Sequence, residues 1–356
     1  MNILVALDSF KGCISSAEAN AAAKKGIEKV NPQAEVHTFT VSDGGEGWTA
    51  AFHDAIGGTI RTINAHDALM RPIKASYLVA GDTVVIEVAA TVGLALLKDT
   101  ELRPTLATSY GVGEMLVDAR IQGCKRFIIG LGGTATSDCG IGMLKALVHK
   151  LHVFRPQVQQ IDDVLPFFKY CSFTLGSDVI NTLCGKLGMA AVFAPQKGAT
   201  EKEVELLDRR AAQFAAFSAR HFGYDKSNEP GAGAAGGLGY AFLQYFHAEM
   251  KPGADLLFRA LDFEDQVKKA DLVITGEGAS DRQTLMGKLP SRILAIAKKY
   301  NVPVALLAGR VSDEEVLRRG GFQLIHSINP PELSTEECLK PETAKKNLES
   351  TVSDIL

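Results

Sequence analysis

Short apolar runs recur along the chain, each followed by a turn and then by helical spacing. Residues 3–7 (ILVAL), 36–41, 272–275 and 302–308 read as strands of this kind, and 323–328 as a further one. Near-continuous apolar strands alternating with helices point to a parallel α/β sheet with both faces covered. The stretch 59–90 has a different rhythm. Its strands, 59–64, 73–79 and 84–88, are short, and a Gly81-Asp82 turn precedes the last, which predicts antiparallel pairing. Residues 127–129 and 173–175 read as buried strands, and 109–122 and 140–151 as helices. The polar tail 330–356 reads as helical.

The pattern predicts two α/β domains. One is a flavodoxin-like or Rossmann-like parallel sheet with helices on both faces, built from residues 1–60 and 200–356. The other, 61–199, is a mixed α/β domain inserted into it, with a cleft between the two. A chain of 356 residues, 46% of them hydrophobic, supports two cores of this size. The net charge of -3, with no basic block, argues against nucleic acid or an anionic membrane as partner. No run approaches a membrane span, and MNILVAL reads as a strand rather than a signal peptide. The six cysteines form no CxxC pair and read as reduced thiols of a cytoplasmic protein, monomeric or homodimeric.

The chemistry concentrates at turns. Residues 126–144, RFIIGLGGTATSDCGIGML, run from a strand through Gly132, Gly133, Thr134, Ser137 and Asp138 into a helix. Glycines let backbone N–H groups approach an anion, and a helix N-terminus adds roughly half a positive charge, so this turn is a candidate phosphate site. Four acids, Asp8, Asp43, Asp178 and Glu277, each lie just past an expected strand end, the edge where open α/β sheets bind ligands. Lys11 and Lys288 bring cations to the same kind of edge. A carboxylate there could hold magnesium, activate a hydroxyl or grip a substrate hydroxyl. Neither Gly-Lys pair, at 185–186 or 287–288, is followed by Ser or Thr, so no P-loop is present. Gly231, Gly233 and Gly236 spell a dinucleotide fingerprint, but polar YDKSNEP precedes them where a strand is required. That run instead reads as the tightly packed start of a helix over 236–250.

Taken in order, DSFKG at 8–12, SDGGEG at 42–47, IEVAATVGL at 86–94, GLGGTATSDCGIGML at 130–144, FAPQKGAT at 193–200, PGAGAAGGLG at 230–239 and ADLVITGEGASDRQTLMGKLP at 270–290 resemble the class I glycerate kinase family. The resemblance runs from residue 1 to about 330. It implies a two-domain kinase that uses ATP and magnesium to phosphorylate glycerate to phosphoglycerate. The family's polar positions fall on Asp8, Ser9, Lys11, Asp43, Glu46, Glu87, Asp178, Asn181, Lys197, Glu277, Asp281 and Lys288.

The roles that follow are expectations. Asp178, Asp281 and Lys11 are the catalytic candidates. Asp8, Ser9, Asn181 and Lys288 bind the acceptor. Gly132, Gly133, Thr134, Ser137 and Asp138 meet the nucleotide phosphates, and Asp43 and Glu277 hold the metal. Some positions depart from the family pattern. Ser137 stands where Asn is common, Cys139 where Gly is, Thr182 where Pro is, and Ala279 where Arg is. Two alternatives stay open: a kinase for a related hydroxy acid, and a non-catalytic relative that binds a small acid or nucleotide.

Overall fold

The computed structural model describes residues 1–10 and 12–356; Lys11 lies outside them. Its strands are β1 (Asn2–Leu7), β2 (Glu35–Thr38), β3 (Thr59–His66), β4 (Pro72–Ala80), β5 (Thr83–Glu87), β6 (Arg126–Gly130), β7 (Ser172–Gly176), β8 (Glu249–Lys251), β9 (Leu272–Ser280), β10 (Val304–Val311) and β11 (Leu324–Ser327). They form two sheets, in two compact units.

The first unit comprises Met1–Asp43, Ala50–Ile56 and Ala254–Leu356. Its five strands lie in the order β11-β10-β9-β1-β2, and every pairing is parallel. Counted along the chain within this sheet, that is the 2-1-3-4-5 order of flavodoxin-like folds. β1 lies inside the sheet between β9 and β2, and its residues from Ile3 to Leu7 are buried whichever way they point, so both faces of the sheet are covered there. Helix Ser16–Val30 opens with a Ser15/Glu18 capping box and sends Ala19, Ala23 and Ile27 into the core. The tail forms the short helix Thr335–Cys338 and the longer Pro341–Ile355, whose Ala344, Leu348 and Val352 join the same core. The tail is therefore a packed layer, with Gly26 allowing the close approach of the Glu349 backbone.

β2 ends earlier than its apolar pattern suggests. The N–H of Val41 donates to Ser16 Oγ at 3.0 Å, and the carbonyl of Phe39 accepts from Asn20 Nδ2 at 2.8 Å. Side chains of the first helix take over the backbone partners that a longer strand would need.

The second unit comprises Gly44–Thr49 and Gly57–Gly253. Its sheet runs β3-β4-β5-β6-β7-β8, antiparallel over the first two pairings and parallel over the rest. Sequence pattern placed its end at residue 199, and the unit runs on to Gly253. Helix Ala234–Phe246 contributes Leu238, Ala241 and Phe242 to the core around Phe127, Ile129 and Phe173. The Phe173 and Phe246 rings stand 5.0 Å apart. β8 then adds an edge to this sheet by pairing with β7. The expected helix over 236–250 is displaced, because Ala235, Gly236 and Gly237 adopt left-handed backbone conformations and His247 closes the helix. Among the described residues no helix is long and apolar enough to cross a membrane.

Candidate active site

In the first unit the chain order reverses between β1 and β9. There Leu7 pairs with Gly276, and Asp8 N donates to the Gly276 carbonyl at 2.9 Å. β1 then turns away while β9 continues to Ser280, paired with β10 through Arg310↔Ala279 and Val311↔Ser280. Glu277 thus lies inside its strand rather than past its end. The strand expected over 272–275 runs on through TGEG because β10 pairs with it.

A pocket of about 520 Å³ opens at this point. Asp8, Ser9, Asp43, Glu277 and Lys288 are among the residues that line it. The nearly buried Glu277 carboxylate accepts from Thr284 Oγ1 at 2.6 Å, Ser280 Oγ at 3.2 Å and Lys288 Nζ at 3.5 Å. Ser280 therefore orients an acid of the pocket. Asp281 caps the following turn: its carboxylate accepts from Gln283 N at 2.7 Å and its own N–H donates to Thr284 Oγ1. Arg310 and Asn329 also line the pocket. Sequence reading missed both. The signal was the same strand-edge rule, which flags the residues after the apolar parts of β10 and β11 as well as the acids.

The glycine-rich turn belongs to the second unit, and several of its groups are committed. Gly132 N donates to the Gly44 carbonyl at 2.9 Å, and a Cβ on Gly132 would fall 2.3 Å from Gly45 Cα. The two glycine strings therefore pack on each other. Gly133 has a positive φ of 66°, and its carbonyl accepts from Leu94 N. Thr134 and Ser137 are buried; no partner reaches Ser137 Oγ among the described residues.

The Asp138 carboxylate accepts from Ser109 N and Oγ at 2.8 and 2.9 Å, Gly142 N at 3.0 Å and Gly140 N at 3.1 Å. It occupies the N-terminus of helix Ile141–Phe154. In this structure the chain's own carboxylate thus accepts from the first N–H groups of the helix, the kind of place an external anion would take. Burial raises the Asp138 carboxyl above its ordinary range despite these hydrogen bonds.

Buried Lys197 donates to the Thr136 carbonyl at 2.7 Å and reaches Thr134 Oγ1 at 3.4 Å. Burial lowers its ammonium to about 8. The lysine of FAPQKGAT thus pins the turn from inside. Glu87 ends β5 and accepts from Thr49 N at 3.4 Å. Burial pushes its carboxyl up to about 7, and the N–H groups of Thr49, Trp48 and Gly47 pull the other way.

Asp178 follows β7 in an exposed position. Asn181 shapes the next loop: its Nδ2 donates to the Leu187 carbonyl at 2.8 Å, and its own carbonyl accepts from Gly233 N. Asp8, Ser9, Asp43, Glu277 and Lys288 are brought to one pocket, and Asp281 belongs to the same unit. Residues 132–138, Asp178 and Asn181 belong to the other. Lys11 lies outside the described residues. Cys139 is buried and its thiol is raised well above its ordinary value, which leaves it inert. Trp48 is fully buried against Gly130 and Gly176 and serves packing.

Among the described residues no group of three His, Cys, Asp or Glu side chains could hold a metal unaided. Three carboxylates sharing one pocket do supply hard oxygen donors. Magnesium commonly takes one or two carboxylates and completes its shell with water and substrate phosphate, so this donor set fits it.

The model of the Glycerate kinase family matches residues 3–356. The chain is 38% identical to a glycerate kinase of Bacillus subtilis strain 168, over 100% of this chain and 97% of that protein. It is 35% identical to a glycerate 2-kinase of Escherichia coli strain K12, over 92% and 90%. A crystal structure carrying a glycerate kinase 2 assignment, from Salmonella typhimurium LT2, superposes with a TM-score of 0.80 at 33% identity, over 100% of this chain and 97% of that one. The two-unit α/β fold and these whole-length matches define a phosphotransferase. The chain belongs to the glycerate kinase family.

Proposed function

We propose that this protein transfers the γ-phosphoryl group of ATP to a hydroxyl of glycerate, in the cytoplasm where ATP is held. The observation that carries this reading is the gathering of Asp8, Asp43 and Glu277 with Lys288 at the switch point of a flavodoxin-like sheet, in a chain that matches a kinase family from end to end. Phosphoryl transfer needs positioning and charge neutralisation more than covalent help from the protein. Asp43 and Glu277 are the residues that would hold magnesium, which supplies charge neutralisation on the phosphates when bound. Lys288, with Lys11, adds positive charge. Asp8, Ser9 and Asn181 are assigned to acceptor binding.

Asp178 is the proposed base for the acceptor hydroxyl, supported by its exposed place after β7. Asp281 ranks second, because its carboxylate already caps a turn. Asp178→Ala is expected to lower turnover by at least about a hundredfold with the fold kept, as loss of a general base does; near-normal turnover removes Asp178 from the mechanism. A kinase for a related hydroxy acid is the second reading, favoured by Ala279, which stands where the family pattern commonly has Arg. Coupled ADP-release assays across glycerate, tartronate and other hydroxy acids decide between the two. Fastest turnover with glycerate is the expected result, preference for another acid selects the second reading, and no ADP with any acceptor sinks both.

A further inference from the structure

We propose that the pocket between β1, β9 and the C-terminal segment takes the nucleoside of the phosphoryl donor, with its base against an apolar wall and its phosphates toward the acids and cations. This deepens the kinase reading above and rests on it.

Size is the first argument. About 520 Å³ is far more than a three-carbon acid fills and lies in the range of pockets that enclose cofactor-sized ligands. Lining chemistry is the second, because large apolar side chains and charged ones share the pocket. Phe10, Leu289 and Ile328, all buried, and Leu339 form an apolar wall, drawn from the turn after β1, the helix Leu289–Lys299, the end of β11 and the C-terminal segment. A small hydroxy acid has no use for such a wall, whereas the flat face of a base does. Leu339 is 51% exposed at the rim, a large apolar side chain with room on one side.

The same lining offers Asp43 and Glu277 to a cation, and Lys288 and Arg310 to phosphate oxygens. The Arg310 guanidinium has no hydrogen-bond or ion-pair partner among the described residues, and its strand position pairs in register with Ala279. An unpaired guanidinium at a pocket suits a phosphate fork. The Asn329 amide, by contrast, is already committed, with Nδ2 donating to the Gly309 carbonyl at 2.8 Å and Oδ1 accepting from Asn347. The third argument is exclusion. The glycine-rich turn of the second unit, the other candidate for the donor phosphates, has its helix end filled by Asp138.

Two cysteines, Cys13 and Cys338, are half-buried in the lining and serve as reporters. The full-length protein is alkylated with iodoacetamide, with and without Mg-ADP or glycerate, and each cysteine is followed by mass spectrometry. Mg-ADP is expected to slow modification of Cys13 and Cys338, and glycerate alone is not. In parallel, Leu339→Asp places a charge on the apolar rim at a half-exposed position that does not threaten folding. Loss of one buried apolar contact predicts a rise of about tenfold or more in KM for ATP, with KM for glycerate held. A rise in KM for glycerate alone, or glycerate protection without ADP protection, assigns the pocket to the acceptor and overturns the proposal. Absent protection with an unmoved KM for ATP overturns it too. Protection by Mg-ADP in a protein that phosphorylates no hydroxy acid leaves the nucleoside site standing and defeats the kinase reading instead.

Discussion

Glu87 ends β5 under the backbone of residues 47–49, and burial, reinforced by nearby Glu46, raises its carboxyl to about 7 from an ordinary 4.5. The sign of its effect on stability follows from proton linkage. Below the unfolded-state value both states hold the proton, and Glu87 adds no charge penalty. Between that value and 7 the folded protein keeps a proton that the unfolded chain has released, so stability falls as pH rises. Above 7 the penalty is complete, on the order of 2 kcal/mol for a group still partly exposed. Glu87→Gln keeps an oxygen that can accept from Thr49 N and never ionises. Its melting temperature is expected to match the parent near pH 5 and to exceed it by a few degrees at pH 8. Thermal melts across that range test this, and an offset that does not change with pH rules out a protonated Glu87 in the folded state.

At the scale of elements, the glycine strings act by letting backbones touch. Gly236 has a φ of 65°, and a Cβ there would lie 1.9 Å from the Thr136 carbonyl oxygen, the turn that Lys197 holds. Gly185 has a φ of 89° with nothing within 4 Å of its Cβ position. Gly185→Ala should therefore cost only backbone strain, about 1 kcal/mol, and Gly236→Ala clearly more, on the order of 3 kcal/mol with displacement of the turn. Urea unfolding of the two variants compares them; equal losses would refute the packing account.

The same contrast marks what sequence pattern could and could not reveal. β1 was legible because ILVAL is buried on both faces. β8 was not, since its residues Glu249–Lys251 carry no apolar run and exist as a strand only through pairing with β7. The strand-edge rule led to Asp8, Asp43 and Glu277, which do share a pocket, and would have reached Arg310 had cations been sought at β10. A glycine-rich turn before a helix, by contrast, looks the same in sequence whether its helix end awaits an anion or is closed by its own aspartate. The direction in which the Asp138 side chain turns, toward the N–H groups of Gly140 and Gly142, is not written in that pattern.

On the scale of the whole molecule, each unit has its own sheet and its own apolar core. A ligand held by one unit therefore leaves a signature in that unit's backbone. Ligand bound only to the native state stabilises it by RT ln(1 + [L]/Kd), about 2.7 kcal/mol at roughly a hundredfold excess over Kd. Local openings of segments that touch the ligand are suppressed first. Hydrogen exchange with saturating Mg-ADP is expected to slow at the ends of β1 and β9, in β10 and across Thr335–Cys338, all in the unit that holds the acid-lined pocket. Helix Ile141–Phe154, whose first turn is closed by Asp138, should exchange at an unchanged rate. Protection confined to residues 132–142 would instead put the nucleotide on the glycine-rich turn and require Asp138 to leave the helix end. The decisive comparison is thus between two stretches of backbone in one experiment, and it needs neither a known acceptor nor turnover.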